Sequence, residues 1–178
     1  LARCGRPRTF ISDCVLHYSM EIYVAHPDDI DAIAEIARAS WEADYPNILN
    51  RESAVNEWYS REQLEEELTY PWTYMYVAAE GGEVIGFAHA VLAENEGNIL
   101  RIYVHPDERR RGIGRALFDR IRHELIRHDI ERLNAMVLSD NALGNEFYAD
   151  LGMEHDERAE TIIGDERFEE DTYVLELT

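Results

Sequence analysis

From Glu21 onward the apolar positions of the chain fall into strand-like and helix-like spacings separated by short polar breaks. Glu21-Ile-Tyr-Val-Ala25 alternates as a short strand does. His26-Pro-Asp-Asp29 then opens a helix, because proline suits the first turn and acids suit its positive end. Ile30, Ile33, Ala34, Ile36 and Ala37 form the apolar stripe of that helix, which runs to about Trp41. Glu42 to Glu57 shows no clear period and reads as irregular. Ser60-Arg-Glu-Gln63 is a capping box for a helix with Leu64 and Leu68 inward, closed by Pro71. Thr73–Ala79 and Glu83–Ala93 read as strands joined by a Gly81-Gly82 hairpin turn. A second turn, Glu94 to Gly97, leads into a strand over Asn98–Val104. Ile113, Leu117, Ile121 and Leu125 mark the next helix, and Leu133–Leu138 the next strand. Asn141 to Leu151 is a short helix stopped by Gly152, and 158–163 with 171–177 form a last hairpin around Gly164-Asp165. The resulting order is βααβββαβαββ: a mixed α/β (α+β) domain with about seven strands in one central sheet and flanking helices.

One junction carries chemistry. Arg109-Arg-Arg-Gly-Ile-Gly-Arg115 lies between the strand ending at Val104 and the helix after it. The first N–H groups of a helix lack intrahelical partners, and the helix dipole makes that end positive. Gly112 and Gly114 let the backbone approach a phosphate closely, and four arginines supply charge suited to phosphate oxygens. A bare Gly-x-Gly equally fits a tight strand-to-helix turn with solvated arginines. It is not a dinucleotide fingerprint, since Leu117 stands where the third glycine would be.

Composition narrows the setting. The 178 residues are 46% hydrophobic, enough for one domain with a sizeable core. No apolar run is long enough to span a membrane, and no secretory signal stands out, so a cytoplasmic protein is expected. The formal net charge is −20, and all 17 basic residues are arginine. Such a surface argues against nucleic acid as a partner. It fits solubility in general and a very salty cytoplasm in particular, hence a halophilic source. Cys4 and Cys14 have no ligand-spaced partners, so no metal is expected. Residues 1–19 carry three Arg against one Asp and no regular pattern, so they read as a non-native or disordered extension before a domain over 20–178.

Two motifs resemble those of the GNAT superfamily of N-acetyltransferases. Arg109, Gly112 and Gly114 fill the fixed positions of its Gln/Arg-x-x-Gly-x-Gly/Ala signature. Asn141-x-x-Gly144-x-x-Phe147-Tyr148-x-x-x-Gly152-Met153 is similar to its second motif, with Gly144 in place of Ala and Met153 in place of Phe. The resemblance implies the GNAT acyl-CoA N-acyltransferase fold and acetyl-CoA as co-substrate. The implied function is transfer of acetyl to a primary amine of a small molecule or peptide, by direct attack in a ternary complex. A non-catalytic acyl-CoA-binding module is the other reading, and a homodimer is left open.

The resemblance also distributes roles. Backbone groups of Ile102, Tyr103 and Val104 would receive the pantetheine arm as a pseudo-strand. Arg109, Arg110, Arg111, Gly112, Ile113, Gly114 and Arg115 would hold the pyrophosphate, and Asn141 would bond the pantetheine or cap its own helix. Tyr148 is the candidate acid for the departing thiolate. The family's strand-four glutamate position holds Asn98, so Glu96 is the leading candidate base, with Glu94, His89 or a water chain as alternatives. Met136 stands where the ribosomal-protein acetyltransferases carry a glutamate. Glu42 and Tyr45, with Asp44 beside them, are the candidates for receiving the amine.

Overall fold

The computed structural model describes residues 19–48 and 51–177; the expected extension lies almost wholly outside them. The described residues form one seven-stranded sheet with helices on both faces. The elements run β1 (Glu21–Val24), α1 (Ile30–Asp44), α2 (Arg51–Trp58), α3 (Arg61–Thr69), β2 (Thr73–Glu80), β3 (Glu83–Ala93), β4 (Glu96–Val104), α4 (Ile113–Arg127), β5 (Arg132–Leu138), α5 (Ala142–Asp150), β6 (Glu154–Ile163) and β7 (Glu166–Glu176). The strand order across the sheet is β1-β2-β3-β4-β5-β7-β6.

Two cores flank the sheet. On one face Ile113, Leu117, Phe118, Ile121 and Leu125 of α4 pack with Ile99, Leu133 and Ala135. On the other, Ile30, Ile33, Ile36 and Trp41 of α1, Val55 of α2 and Leu64 of α3 pack on Val77 and Phe87. Both helical stripes are those of the sequence pattern, because burying a 3.6-residue apolar face against a sheet is how such helices gain stability.

Three expectations need correction. The stretch thought irregular contains α2. Ala54 and Val55 are its only buried side chains, too few to show a period, and packing against α1 and α3 holds it helical. The order is therefore βαααβββαβαββ. Second, only half of the capping box forms: Ser60 Oγ accepts from Gln63 N (3.2 Å), but the Gln63 amide donates to Glu67 Oε1. Third, the strands of the last hairpin begin at Glu154 and Glu166, because pairing between β6 and β7 extends through charged residues that alternation alone does not mark.

Two features of β4 place the site. Its parallel pairing with β5 covers only Gly97–Ile99 against Leu133–Ala135, so beyond Ile99 the two strands separate. It also carries a bulge: His89 pairs with Arg101 and Ala90 with Ile99, leaving Leu100 between them. The bulge shifts the alternation of β4 by one residue. Gly97 and Ile99 face α4, as do Ile102 and Val104, whereas Arg101 and Tyr103 face the α1–α3 side. At Gly97 a Cβ would lie 2.4 Å from Leu125 Cδ1, so the close approach of α4 to β4 requires glycine there.

Candidate active site

The separation of β4 from β5 opens a cleft of about 660 Å³. Leu100–Val104 form one wall and Met136 and Val137 the other; the Arg109–Arg115 turn, the end of α1 and α5 complete it. With no strand beside it past Ile99, this edge of β4 offers peptide groups to an added strand or an amide-bearing ligand. Ile102 and Tyr103 lie along this edge. The Val104 carbonyl is already occupied, accepting from Arg109 Nε (3.2 Å) and Ser40 Oγ (3.4 Å).

The turn after β4 ends in an open helix terminus. Gly112 takes φ +81° immediately before α4 and brings no capping side chain. The first helical bond runs from Ala116 N to Gly112 O (3.0 Å), so the N–H groups of Ile113, Gly114 and Arg115 have no helical acceptor. Among the described residues this terminus lies in the cleft wall, where an anion gains both those donors and the helix dipole.

The arginines divide the work in a way that is not visible in the sequence. Arg109 forks onto the Asp44 carboxylate (2.7 and 2.9 Å) and pins the end of α1 to the turn. The Arg111 side chain turns from the cleft to Glu80 (2.7 Å) and Glu108, so Arg111, alone among the residues of the turn, does not line the cleft. Arg115 lines the cleft and donates to the Asp150 carbonyl (3.0 Å). Arg110, at φ +63°, is exposed at the cleft and has no ion-pair partner among the described residues.

Tyrosines gather at the cleft's inner end. Tyr148 on α5 is 6% exposed and packs near Phe147 and Tyr173 (ring centroids 5.3 and 5.9 Å). Its hydroxyl makes no hydrogen bond among the described residues, and the residue lines the cleft. Burial, reinforced by Tyr103 and Tyr45, pushes its pKa up, so it stays a protonated donor. The Tyr45 hydroxyl accepts from Asn141 Nδ2 (2.7 Å). Asn141 Oδ1 in turn accepts from Gly144 N (2.9 Å), so Asn141 is a helix cap that also holds Tyr45. The Tyr103 hydroxyl accepts from Trp41 Nε1 (3.0 Å) and from Tyr59 (3.4 Å).

The candidate acids are placed differently from expectation. Glu96 lies at the paired end of β4, outside the cleft lining, where it accepts from Asn134 Nδ2 (2.7 Å) near Arg132. Glu42 is exposed on α1 and does not line the cleft, whereas Tyr45 three residues on does. Glu94 occupies the β3–β4 turn at φ +53°. His89 is buried beside Thr73 (Nε2 to Oγ1, 2.8 Å), and burial, aided by the Arg101 charge, lowers its pKa to about 4. Arg101 itself is held by a bidentate pair with buried Glu67 (2.6 and 3.1 Å) and stacks over Tyr59. This ion pair is missed by reading the sequence; its one signal is a glutamate three residues after Leu64 on the inward stripe of α3. Among the described residues no cluster of three or more His, Cys, Asp or Glu is gathered to hold a metal ion. Among the described residues no helix is long and apolar enough to cross a membrane.

Residues 30–153 match the model of the Acetyltransferase (GNAT) family. The chain belongs to the GNAT family of acetyltransferases. Among relatives, it is 27% identical over 137 residues to the spermidine N(1)-acetyltransferase of Thermoplasma acidophilum, covering 73% of this chain and 85% of that one. The PaiA N-acetyltransferase of the same organism, solved in complex with coenzyme A, superposes with a TM-score of 0.75 at 25% identity, over 85% of this chain and 98% of the other. The ribosomal-protein-S18-alanine N-acetyltransferase of Escherichia coli shares the fold at TM-score 0.71 and 19% identity, over 90% and 95% of the two chains. Homologous GNAT structures therefore bind coenzyme A, and the cleft of this GNAT chain has the groups such a molecule needs: an open helix terminus and an exposed arginine for phosphates, and an unpaired strand edge for amides.

Proposed function

We propose that this GNAT chain is an acetyl-CoA-dependent N-acetyltransferase that moves acetyl to a primary amine by direct attack in a ternary complex. The observation that carries the proposal is Tyr148: a protonated hydroxyl without a partner among the described residues, carried by a buried ring and open to the cleft between the free edge of β4 and the open terminus of α4. A hydroxyl left without a protein partner at such a place has a donor to give to sulfur as negative charge develops there.

The other residues supply binding and orientation. The N–H groups of Ile113, Gly114 and Arg115, with the Arg110 guanidinium, receive the phosphates. The free edge of β4 aligns the pantetheine amides, so that the thioester is held beside Tyr148. Asn141 keeps Tyr45 fixed at the acceptor side. An amine with an ordinary pKa is almost wholly ammonium near neutral pH and must lose a proton before it attacks. A polyamine is the first acceptor to try, since the Thermoplasma relative is a spermidine N(1)-acetyltransferase.

The experiment is thiol release from acetyl-CoA with spermidine and a panel of small and peptidyl primary amines, each with an acceptor-free control. Release that requires the amine, together with the acetylated product by mass, is the expected result. Acetyl-CoA binding with no acceptor-dependent release from any amine would favour a binding module instead.

A further inference from the structure

We infer that Glu170 is the carboxylate that receives the acceptor ammonium and takes its proton, the role the sequence assigned to Glu96. The inference rests on the transferase reading above and adds to it the residue on the acceptor side.

The placement comes from strand register. Glu170 on β7 pairs directly with Leu138, the last residue of β5, and on its other side with Ala159 of β6. Directly opposed residues share a face of the sheet. Leu138 is part of the core under α1, and Phe168, two residues before Glu170, packs against that same core. Glu170 therefore stands on the α1–α3 face at the end of β5, where the chain turns toward Asn141 and α5. Tyr45 at the end of α1 is close enough for the Glu170 charge to be felt by its phenol, and Tyr45 and Tyr148 are close enough to influence one another. Glu170 is not itself part of the cleft lining; it stands on the α1–α3 face next to Tyr45, which is, so an acceptor would meet it by passing Tyr45.

The carboxylate is also uncommitted. Asp44, Glu67 and Asp171 each have an arginine: Arg109, Arg101 and Arg158. Glu170 is half-buried and has neither a hydrogen bond nor an ion pair among the described residues. Its strand partners Leu138 and Ala159 are apolar, and its neighbours Glu169 and Asp171 point to the opposite face with Arg158; the titratable groups beside it on its own face are Glu157, which pairs with Thr172, and the Tyr45 phenol. Burial accordingly raises its carboxyl above the usual range. A half-buried carboxylate without a cation is costly in the free protein and is compensated when a ligand supplies one. Trp41, Tyr45 and Trp58 form an aromatic wall on the same core, with Trp41 centred 4.7 Å from Tyr45 and 5.5 Å from Trp58, a surface suited to the rest of a cationic amine.

The step balances simply. The ammonium gives one proton to Glu170 and becomes a free amine. Its nitrogen bonds the acetyl carbonyl carbon, the carbon–sulfur bond breaks, and the sulfur leaves with the Tyr148 proton. The second nitrogen proton restores the phenol, and Glu170 releases its proton to water.

The test is Glu170→Gln, which keeps shape and removes the charge, with Glu170→Asp alongside. Spermidine turnover is followed from about pH 6 to pH 9, and acetyl-CoA binding by thermal shift. Glu170→Gln is expected to lower kcat/KM roughly 100-fold near neutrality, with the deficit shrinking as pH rises and the free amine becomes abundant. Glu170→Asp should recover part of the rate, and both variants should keep the wild-type acetyl-CoA shift. If the wild type turns over spermidine and Glu170→Gln matches it within about threefold at every pH, Glu170 is not the receiving group. A loss independent of pH, or one accompanied by loss of the acetyl-CoA shift, would put Glu170 in the fold and overturn the inference. If the wild type acetylates no amine, the transferase reading fails, and this inference with it.

Discussion

The guanidinium of Arg109 is forked across the carboxylate of Asp44, 65 residues away in sequence, at 2.7 and 2.9 Å. The arginine that opens the Gly-rich turn is therefore an anchor for the end of α1, which in the proposed function leaves phosphate binding to the helix terminus and Arg110. The pair is only 14% and 22% exposed, so removing one partner strands the other charge away from water. Asp44→Ala should cost about 2 kcal/mol after allowing for partial solvation, which lowers Tm by roughly 4–8 °C for a domain of this size. Differential scanning calorimetry checks it; an unchanged Tm would mean that water compensates the freed arginine.

Gly112 makes a prediction about charge rather than bulk. At φ +81° any side chain costs about 1–2 kcal/mol, yet a Cβ there would meet nothing within 4 Å. Gly112→Ala and Gly112→Asp should therefore destabilise the free protein alike. Gly112→Ala should keep most of the acetyl-CoA thermal shift, while Gly112→Asp, with its carboxylate before the α4 terminus, should lose it. Equal shifts in the two variants would show that the phosphates lie elsewhere.

The range of the contacts determines how far the site was legible in sequence. The turn from β4 into α4 and the Asn141 cap of α5 are local: strand, glycine and helix signals lie within a few residues, and the structure has them there. Glu96 shows where local reading stops. Whether a residue of β4 reaches the cleft depends on where β4 parts from β5, and that is set by pairing with residues more than thirty positions away. Counting by twos from Glu96 leads to Ile102, but across the bulge at Leu100 it leads to Tyr103, so alternation misassigns the face. The ion pairs of Asp44, read in sequence as a candidate beside the amine, and of Glu67 were not legible locally, because their arginines arrive from distant strands and turns. Helix α2 was invisible for a different reason: two buried residues in eight carry no period.

His89 makes the stability depend on pH. Its folded pKa lies near 4, against 6.5 when exposed, because burial disfavours the charged ring and Arg101 repels it. Above about pH 6.5 the ring is neutral in both states and contributes no slope. As pH falls below that value the unfolded chain takes up a proton that the folded chain refuses, so stability drops until about pH 4. The loss attributable to this one residue is up to roughly 3 kcal/mol. Chemical denaturation across that window should show a shallower fall for His89→Gln than for the wild type. Asp171, whose carboxyl Arg158 holds well below the usual carboxylate range, loses its stabilising charge only at lower pH and so does not contribute to the upper part of the window.

Tyr148 yields the prediction closest to the chemistry. Its ring packs against Phe147 and Tyr173, and its hydroxyl makes no hydrogen bond among the described residues, so Tyr148→Phe removes one group and strands no partner there. Folding stability should change by less than about 1 kcal/mol. Acetyl-CoA affinity should also hold, because the hydroxyl acts mainly once charge has grown on sulfur. Turnover should fall by roughly 100-fold, within the range for a lost general acid. The fall should appear in kcat and in kcat/KM together, as expected for an interaction made in the transition state. Acceptors of different basicity sharpen the reading: the loss should persist with every amine, since it concerns the leaving sulfur, whereas a defect at Glu170 should depend on amine pKa. Full kcat in Tyr148→Phe with each amine would leave the ring a packing element and assign protonation of the thiolate to water.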